Sequence, residues 1–198
     1  MNNIINYETE VSRRLTAFRL RDLQKSGLSF ERIYLDDYRN GENGWEIPML
    51  DPFTGKELFC RTRLDNPLDG PKYIQPKGKG LVPFYPHREN WQEIAEDISQ
   101  DIVWCEGEKK ASKLTQEGFL AISMPGVSAY GSKTFIQSIE RIIWKGRKTY
   151  LCFDSDIRVK AEVRAALIKF AKVLNSKEAK VFEIEIPETS VVSCKGGI

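Results

Sequence analysis

Three carboxylates stand directly behind two short apolar runs. Asp101-Ile102-Val103-Trp104-Cys105 leads into Glu106-Gly107, and Thr149-Tyr150-Leu151-Cys152-Phe153 leads into Asp154-Ser155-Asp156. Short β-branched and aromatic runs followed by helical patterns read as buried parallel strands. Ligands of such sheets gather at the carboxyl ends of the strands, so Glu106, Asp154 and Asp156 are expected at one crevice. Carboxylates held together repel and shift each other's pKa unless a cation neutralises them. Oxygen-only ligation suits Mg²⁺ or Mn²⁺. Glu106, Ser155 and Asp156 also suit helix N-caps, where side-chain oxygens accept the free amide hydrogens of a first turn.

A second group of residues carries positive charge. In the stretch from Glu57 to Leu64 a period of two puts Phe59, Arg61 and Arg63 on one face, with Leu58, Cys60, Thr62 and Leu64 on the other. Cationic and aromatic side chains on a shared face suit a nucleic-acid strand, although pairing of the arginines with Asp65 or Glu57 is the alternative. Lys77-Gly78-Lys79-Gly80 reads as a solvated basic turn, with backbone amides and charge presented to phosphate as the alternative; neither it nor any other segment has the Gly-Lys-Ser/Thr ending of a P-loop, which argues against an ATP-driven motor.

The 198 residues suffice for a real core, in one large domain or two small ones. Thirty basic against 28 acidic residues leave a net charge of +2, so any basic surface is local. Cys60, Cys105, Cys152 and Cys194 are widely spaced beside one histidine, His87, which disfavours a zinc site. A lone histidine without a partner motif also disfavours nucleophilic catalysis and reads as structural or solvent-facing. Reduced thiols, no signal-like N-terminus and no long apolar segment lead to the expectation of a soluble cytoplasmic protein without membrane contact.

The elements that must position these groups follow from periodicity and punctuation. One helix is expected over 7–25, with Val11, Leu15, Phe18 and Leu23 inward and a stop at Ser26-Gly27; Ser29 caps a further turn. Strands at 45–50 and 57–64 form a hairpin around Asp51-Pro52-Phe53-Thr54-Gly55, and residues 65–86 are irregular or short strands. After a short helix at 91–97 the pattern alternates. Strands are expected at 101–105, 119–123, 149–153 and 179–186, and helices at 108–117, 132–144 and 157–174. The last helix spaces Val159, Val163, Leu167, Phe170 and Leu174 into a core stripe and leaves Arg158, Lys160, Arg164, Lys169 and Lys172 on a solvated face. This alternation is that of an α/β domain with a largely parallel sheet flanked by helices, preceded by a smaller α+β subdomain with a β-hairpin.

The order and strand context of Glu106-Gly107, Gly118-Phe119-Leu120-Ala121-Ile122 and Asp154-Ser155-Asp156 resemble the TOPRIM domain of DnaG-type primases, topoisomerases and some nucleases. Upstream, Ile47-Pro48-Met49-Leu50-Asp51, Gly55, Arg61-Thr62-Arg63-Leu64 and Pro71-Lys72-Tyr73-Ile74 look like the part of the primase core that precedes TOPRIM. Glu106-Gly107-Glu108-Lys109-Lys110-Ala111 is similar to the form found in primase-like domains of plasmid and phage proteins, a largely uncharacterised subgroup. The resemblance implies a primase-core-like subdomain at 1–99, a TOPRIM-like domain at 100–188, and a tail at 189–198 that could continue in a longer protein.

It also implies roles. Glu106 would be the acid or base near the attacking hydroxyl, or a metal ligand, with Asp154 and Asp156 holding Mg²⁺ or Mn²⁺. Arg61, Arg63, Lys72 and Lys110 would contact phosphates, and Tyr73 would stack on a base. The partners implied are single-stranded DNA and nucleoside triphosphates, with a helicase or other replication protein beside them. Three departures stand out: Lys110 where such primases usually carry an aspartate, no glycine behind Asp154-Ser155-Asp156, and no Cys/His zinc module. The activities left open are primase-type nucleotidyl transfer, metal-dependent cleavage on the same fold, and non-catalytic nucleic-acid or partner binding.

Overall fold

Two four-stranded sheets, one antiparallel and one parallel, organise the computed structural model, which describes residues 5–67, 70–126, 129–153 and 161–185. Asp154 and Asp156 lie outside the described residues, as do Arg158, Val159 and Lys160. No helix among the described residues is long and apolar enough to cross a membrane.

The single helix expected over 7–25 is two, α1 (Tyr7–Arg14) and α2 (Ala17–Gln24). Thr16 breaks it. Its backbone is extended, and its amide donates to Asn40 Oδ1 at 3.2 Å instead of to a helical carbonyl. The break turns the second half of the face: Val11, Leu15 and Leu23 are buried as expected, but Phe18 is 63% exposed. Arg19 is buried in its stead, its guanidinium held by Asp65, Asn40 Oδ1 and the Gly41 carbonyl. Ser29 caps α3 (Phe30–Leu35), accepting from the Arg32 amide at 3.1 Å.

Strands β1 (Arg39–Asn40), β2 (Gly44–Leu50), β3 (Glu57–Leu64) and β4 (Tyr73–Ile74) pair antiparallel in chain order. The hairpin turn forms because Asp51 Oδ1 accepts the amides of Phe53 and Thr54, both at 2.9 Å, and Gly55 takes the left-handed conformation that closes it.

The parallel sheet comprises β5 (Ile102–Glu106), β6 (Ala121–Met124), β7 (Lys148–Cys152) and β8 (Lys180–Ile184), in the order β6-β5-β7-β8. Its helices are α4 (Trp91–Glu96), α5 (Glu108–Gln116), α6 (Lys133–Ile139) and α7 (Ala161–Ser176). β6 starts two residues later than its apolar run, leaving Phe119 exposed, and α6 ends before buried Trp144. Leu167, Phe170 and Leu174 form the inward stripe of α7.

The two faces of the parallel sheet belong to different cores. Ile102, Trp104, Ile122, Leu151 and Phe153 pack with α4, α6 and α7, whereas Cys105, Ala111 and Ala121 join Trp45, Ile47, Met49 and Leu23. Alternation along β5 produces this split, since successive side chains point to opposite faces. An isolated antiparallel bridge between Phe84 and Ser123 ties the connecting segment to β6. Ahead of β7, fully buried Arg147 donates to the carbonyls of Ile94, Ala95, Gln100 and Ile143, so it satisfies the last turn of α4.

Candidate functional site

Strand β5 passes into α5 with no loop between them. Glu106 is the last strand residue, Gly107 the N-cap and Glu108 the first helical residue, which removes Glu106 from the capping role its type allows. Gly107 has φ +92°, a conformation open to glycine at no steric cost. The tight corner leaves Glu106 half-buried at the strand terminus, while Glu108 turns inward and is 3% exposed.

The strand order places this corner at a topological switch. From β5 the sheet runs to β6 on one side and β7 on the other, and Cys105 is in register with Cys152. The carboxyl ends of β5 and β7 are therefore neighbours, with a crevice opening above them. Two clefts meet there and share Tyr73, Glu106 and Gly107 as lining residues. One, of about 500 Å³, is walled by Arg61, Gln75, Glu108 and Met124. The other, of about 820 Å³, is walled by Arg63, Lys72, Lys109, Lys110, Lys113 and the two cysteines. Glu106 is the one carboxylate among the described residues lining this second cleft.

The hairpin supplies the opposite wall. Arg61 is buried and ion-paired with Glu108, and its other amino group donates to Gln75 Oε1 at 3.0 Å. Its partner is thus neither Asp65, which binds Arg19, nor Glu57, which binds Arg39. Arg63 is half-buried and lies over the Tyr73 ring, 5.5 Å from its centroid, across the β3–β4 pair. Tyr73 packs edge-on against Trp45 with centroids 5.9 Å apart. Burial, with the negative field of Glu108 behind it, pushes the Tyr73 phenol up to about 12. Lys72 and Lys110 are exposed at the cationic cleft, whereas Lys77 and Lys79 are exposed outside both clefts.

The residues brought together here are Glu106, Arg61, Arg63, Lys72, Tyr73 and Lys110. Several others were missed. Lys113 lies one turn on from Lys109 and Lys110, at i, i+4 and i, i+3, a spacing visible in the chain. Lys109 Nζ also reaches Asp22 at 3.3 Å. Burial works to raise the Asp22 pKa, but the Trp45 indole and Lys109 outweigh it and hold the carboxyl below its usual range. Glu108 and Gln75 have no local signal, because their partner arrives from another sheet. His87 is buried, with Nε2 3.0 Å from the Pro48 carbonyl and its amide donating to Asp36 at 2.7 Å, so of its two expected settings it takes the structural one.

Residues 90–192 match a family model described as a domain of unknown function, DUF3854. No curated protein matches the sequence. Two solved structures are similar in fold. The crystal structure of the Aquifex aeolicus primase (zinc binding and RNA polymerase domains) aligns with a TM-score of 0.53 at 20% identity, over 86% of this chain and 43% of that one. The structure of the DnaG catalytic core aligns with a TM-score of 0.58 at 18% identity, over 82% of this chain and 62% of that one. The chain therefore has a primase-core-like α/β fold and spans less than two thirds of either primase chain.

Proposed function

The chain belongs to the DUF3854 family, and we propose that the corner at Glu106 is a divalent-metal nucleotidyl-transfer centre of primase type, acting on single-stranded DNA and nucleoside triphosphates. The observation that carries this reading is the position of Glu106, at the switch point of a primase-like sheet where a cation-lined cleft meets a second cleft.

The donor set suits a hard cation in part. Glu106 offers a half-buried carboxylate that forms no ion pair among the described residues, while Glu108 is committed to Arg61. No group of three or more metal-ligating side chains occurs among the described residues, and Asp154 and Asp156, which lie outside them, would supply the further carboxylates. Glu106, Asp154 and Asp156 would hold Mg²⁺ or Mn²⁺, which would supply charge neutralisation for phosphoryl transfer. Glu106 would orient the attacking hydroxyl or hold the ion. Arg63, Lys72 and Lys110 would hold phosphates through charge-assisted bonds, and Tyr73, which lines both clefts, would stack on a base. Arg61 would act through Glu108 by fixing the wall between the clefts. The setting would be plasmid- or phage-type replication in the cytoplasm, beside a helicase or another replication protein.

The test is primer synthesis on single-stranded DNA with Mg²⁺ or Mn²⁺, comparing the chain with an Asp154→Asn, Asp156→Asn variant. Synthesis that disappears in the variant supports the centre; synthesis that persists sinks it. Lys110 favours a second reading, a non-catalytic nucleic-acid module, because a cation stands where related primases place a carboxylate. That version predicts salt-sensitive DNA binding unchanged by chelators and no metal-dependent synthesis or cleavage.

A further inference from the structure

Two thiols face one cleft at the junction of the central strands. Cys105 and Cys152 are direct register partners on parallel strands β5 and β7, and both line the cationic cleft. Register partners on adjacent strands point to the same face. Neighbouring strands lie about 4.8 Å apart, inside the Cα separation of about 4.4–6.8 Å that a disulfide spans. Cys105 is 1% exposed and turned so that its sulfur lies 3.9 Å from the Ile122 carbonyl, whereas Cys152 is half-buried. A half-buried cysteine lining the cleft thus has a sheltered cysteine as its register partner on the next strand.

We propose that Cys105 and Cys152 are a dithiol modification site that hydrogen peroxide closes into a disulfide joining β5 to β7. The Cys152 sulfur attacks one peroxide oxygen and the O–O bond breaks. The departing hydroxide takes the thiol proton and leaves as water, which makes Cys152 a sulfenic acid. Cys105 Sγ then attacks that sulfur; the S–S bond forms, the S–O bond breaks, and the sulfenic oxygen leaves as a second water. Two thiols lose two electrons and two protons, and one peroxide becomes two waters. The disulfide would sit one residue before Glu106 and two before Asp154, pinning the separation of the two strand ends. The chemistry is independent of what the clefts bind.

Cys60 is a poor competitor. It lies on the hairpin outside both clefts, and burial together with Glu57 pushes its thiol up to about 11.

Peroxide treatment of the folded chain, followed by thiol titration and non-reducing peptide mapping, tests the site. Titratable thiols are expected to fall from four to two, with a mass loss of about 2 Da for the two hydrogens removed. The mapped link should join Cys105 to Cys152 within one chain, and dithiothreitol should restore all four thiols. In Cys152→Ser, checked for folding by its thermal melt, Cys105 should stay unmodified under the same treatment. The site is overturned if Cys152 reaches the sulfinic acid while Cys105 remains alkylatable, or if either cysteine links elsewhere or to another chain.

Discussion

Arg61 on β3 and Glu108 in the first turn of α5 bury their charges against each other, joining the antiparallel sheet to the parallel one. Neither charge has water to fall back on. Removing one partner, as in Arg61→Met or Glu108→Leu, is expected to cost about 3–5 kcal/mol, whereas the double replacement should recover most of that loss. Urea unfolding of the two singles and the double measures it. A single variant as stable as the parent would mean that the pair contributes nothing.

Gly107 offers a separate test of the corner. A Cβ there meets nothing within 4 Å, so the obstacle to Gly107→Ala is its φ of +92°. The expected loss is about 1–3 kcal/mol. If Glu106 is the catalytic carboxylate, primer synthesis should fall by more than the melting curve accounts for, because the strand end must turn to relieve the strain. Stability and activity measured together at one temperature separate the two effects.

The one histidine gives a clean pH readout. Burial pushes the His87 pKa below its ordinary value, partly opposed by Asp36, Asp37 and the Pro48 carbonyl, while Arg32 acts with burial. The folded chain then binds fewer protons than the unfolded chain as pH falls through about 6.5, so stability drops on acidification there. His87→Gln, which keeps a donor for Pro48, is expected to flatten the dependence between about pH 7 and 5. Denaturant midpoints across that range decide; an unchanged slope would exclude His87 as the cause.

Binding of single-stranded DNA should be strongly salt-dependent if the cationic cleft receives it. Arg63→Ala and Lys72→Ala should each weaken binding and lower the slope of log K against log salt by about 0.7. Lys77→Ala, on the exposed turn outside both clefts, serves as the control and should change the slope little. Fluorescence anisotropy at several salt concentrations provides the slopes.

What could be read from the chain was local. The hairpin, the Ser29 cap, the α5 corner and the Leu167, Phe170, Leu174 stripe each depend on residues within a few positions of one another. The split between α1 and α2 was not legible, because the partner of Thr16 is Asn40, on a strand two elements away. Arg19 and Arg147 are buried although no local pattern announces it, since the carbonyls and carboxylates that satisfy them arrive from distant segments. At the site, Glu106 could be picked out from its strand and glycine, but the fate of Glu108 two residues later depended on Arg61 crossing from the other sheet.

The stretch that the family model recognises, 90–192, is a unit of sequence likeness whose apolar contacts reach beyond it. Cys105, Ala111 and Ala121 belong to that stretch, yet their apolar neighbours Leu23, Trp45, Ile47 and Met49 precede it. Cutting the chain at residue 90 would lay bare one whole face of the central strands, together with the inner side of α5. Such a fragment should be sticky when expressed by itself and rescued when residues 1–89 are supplied in trans. The work of excluding water from the back of the Glu106 strand falls to a segment that the family model does not reach.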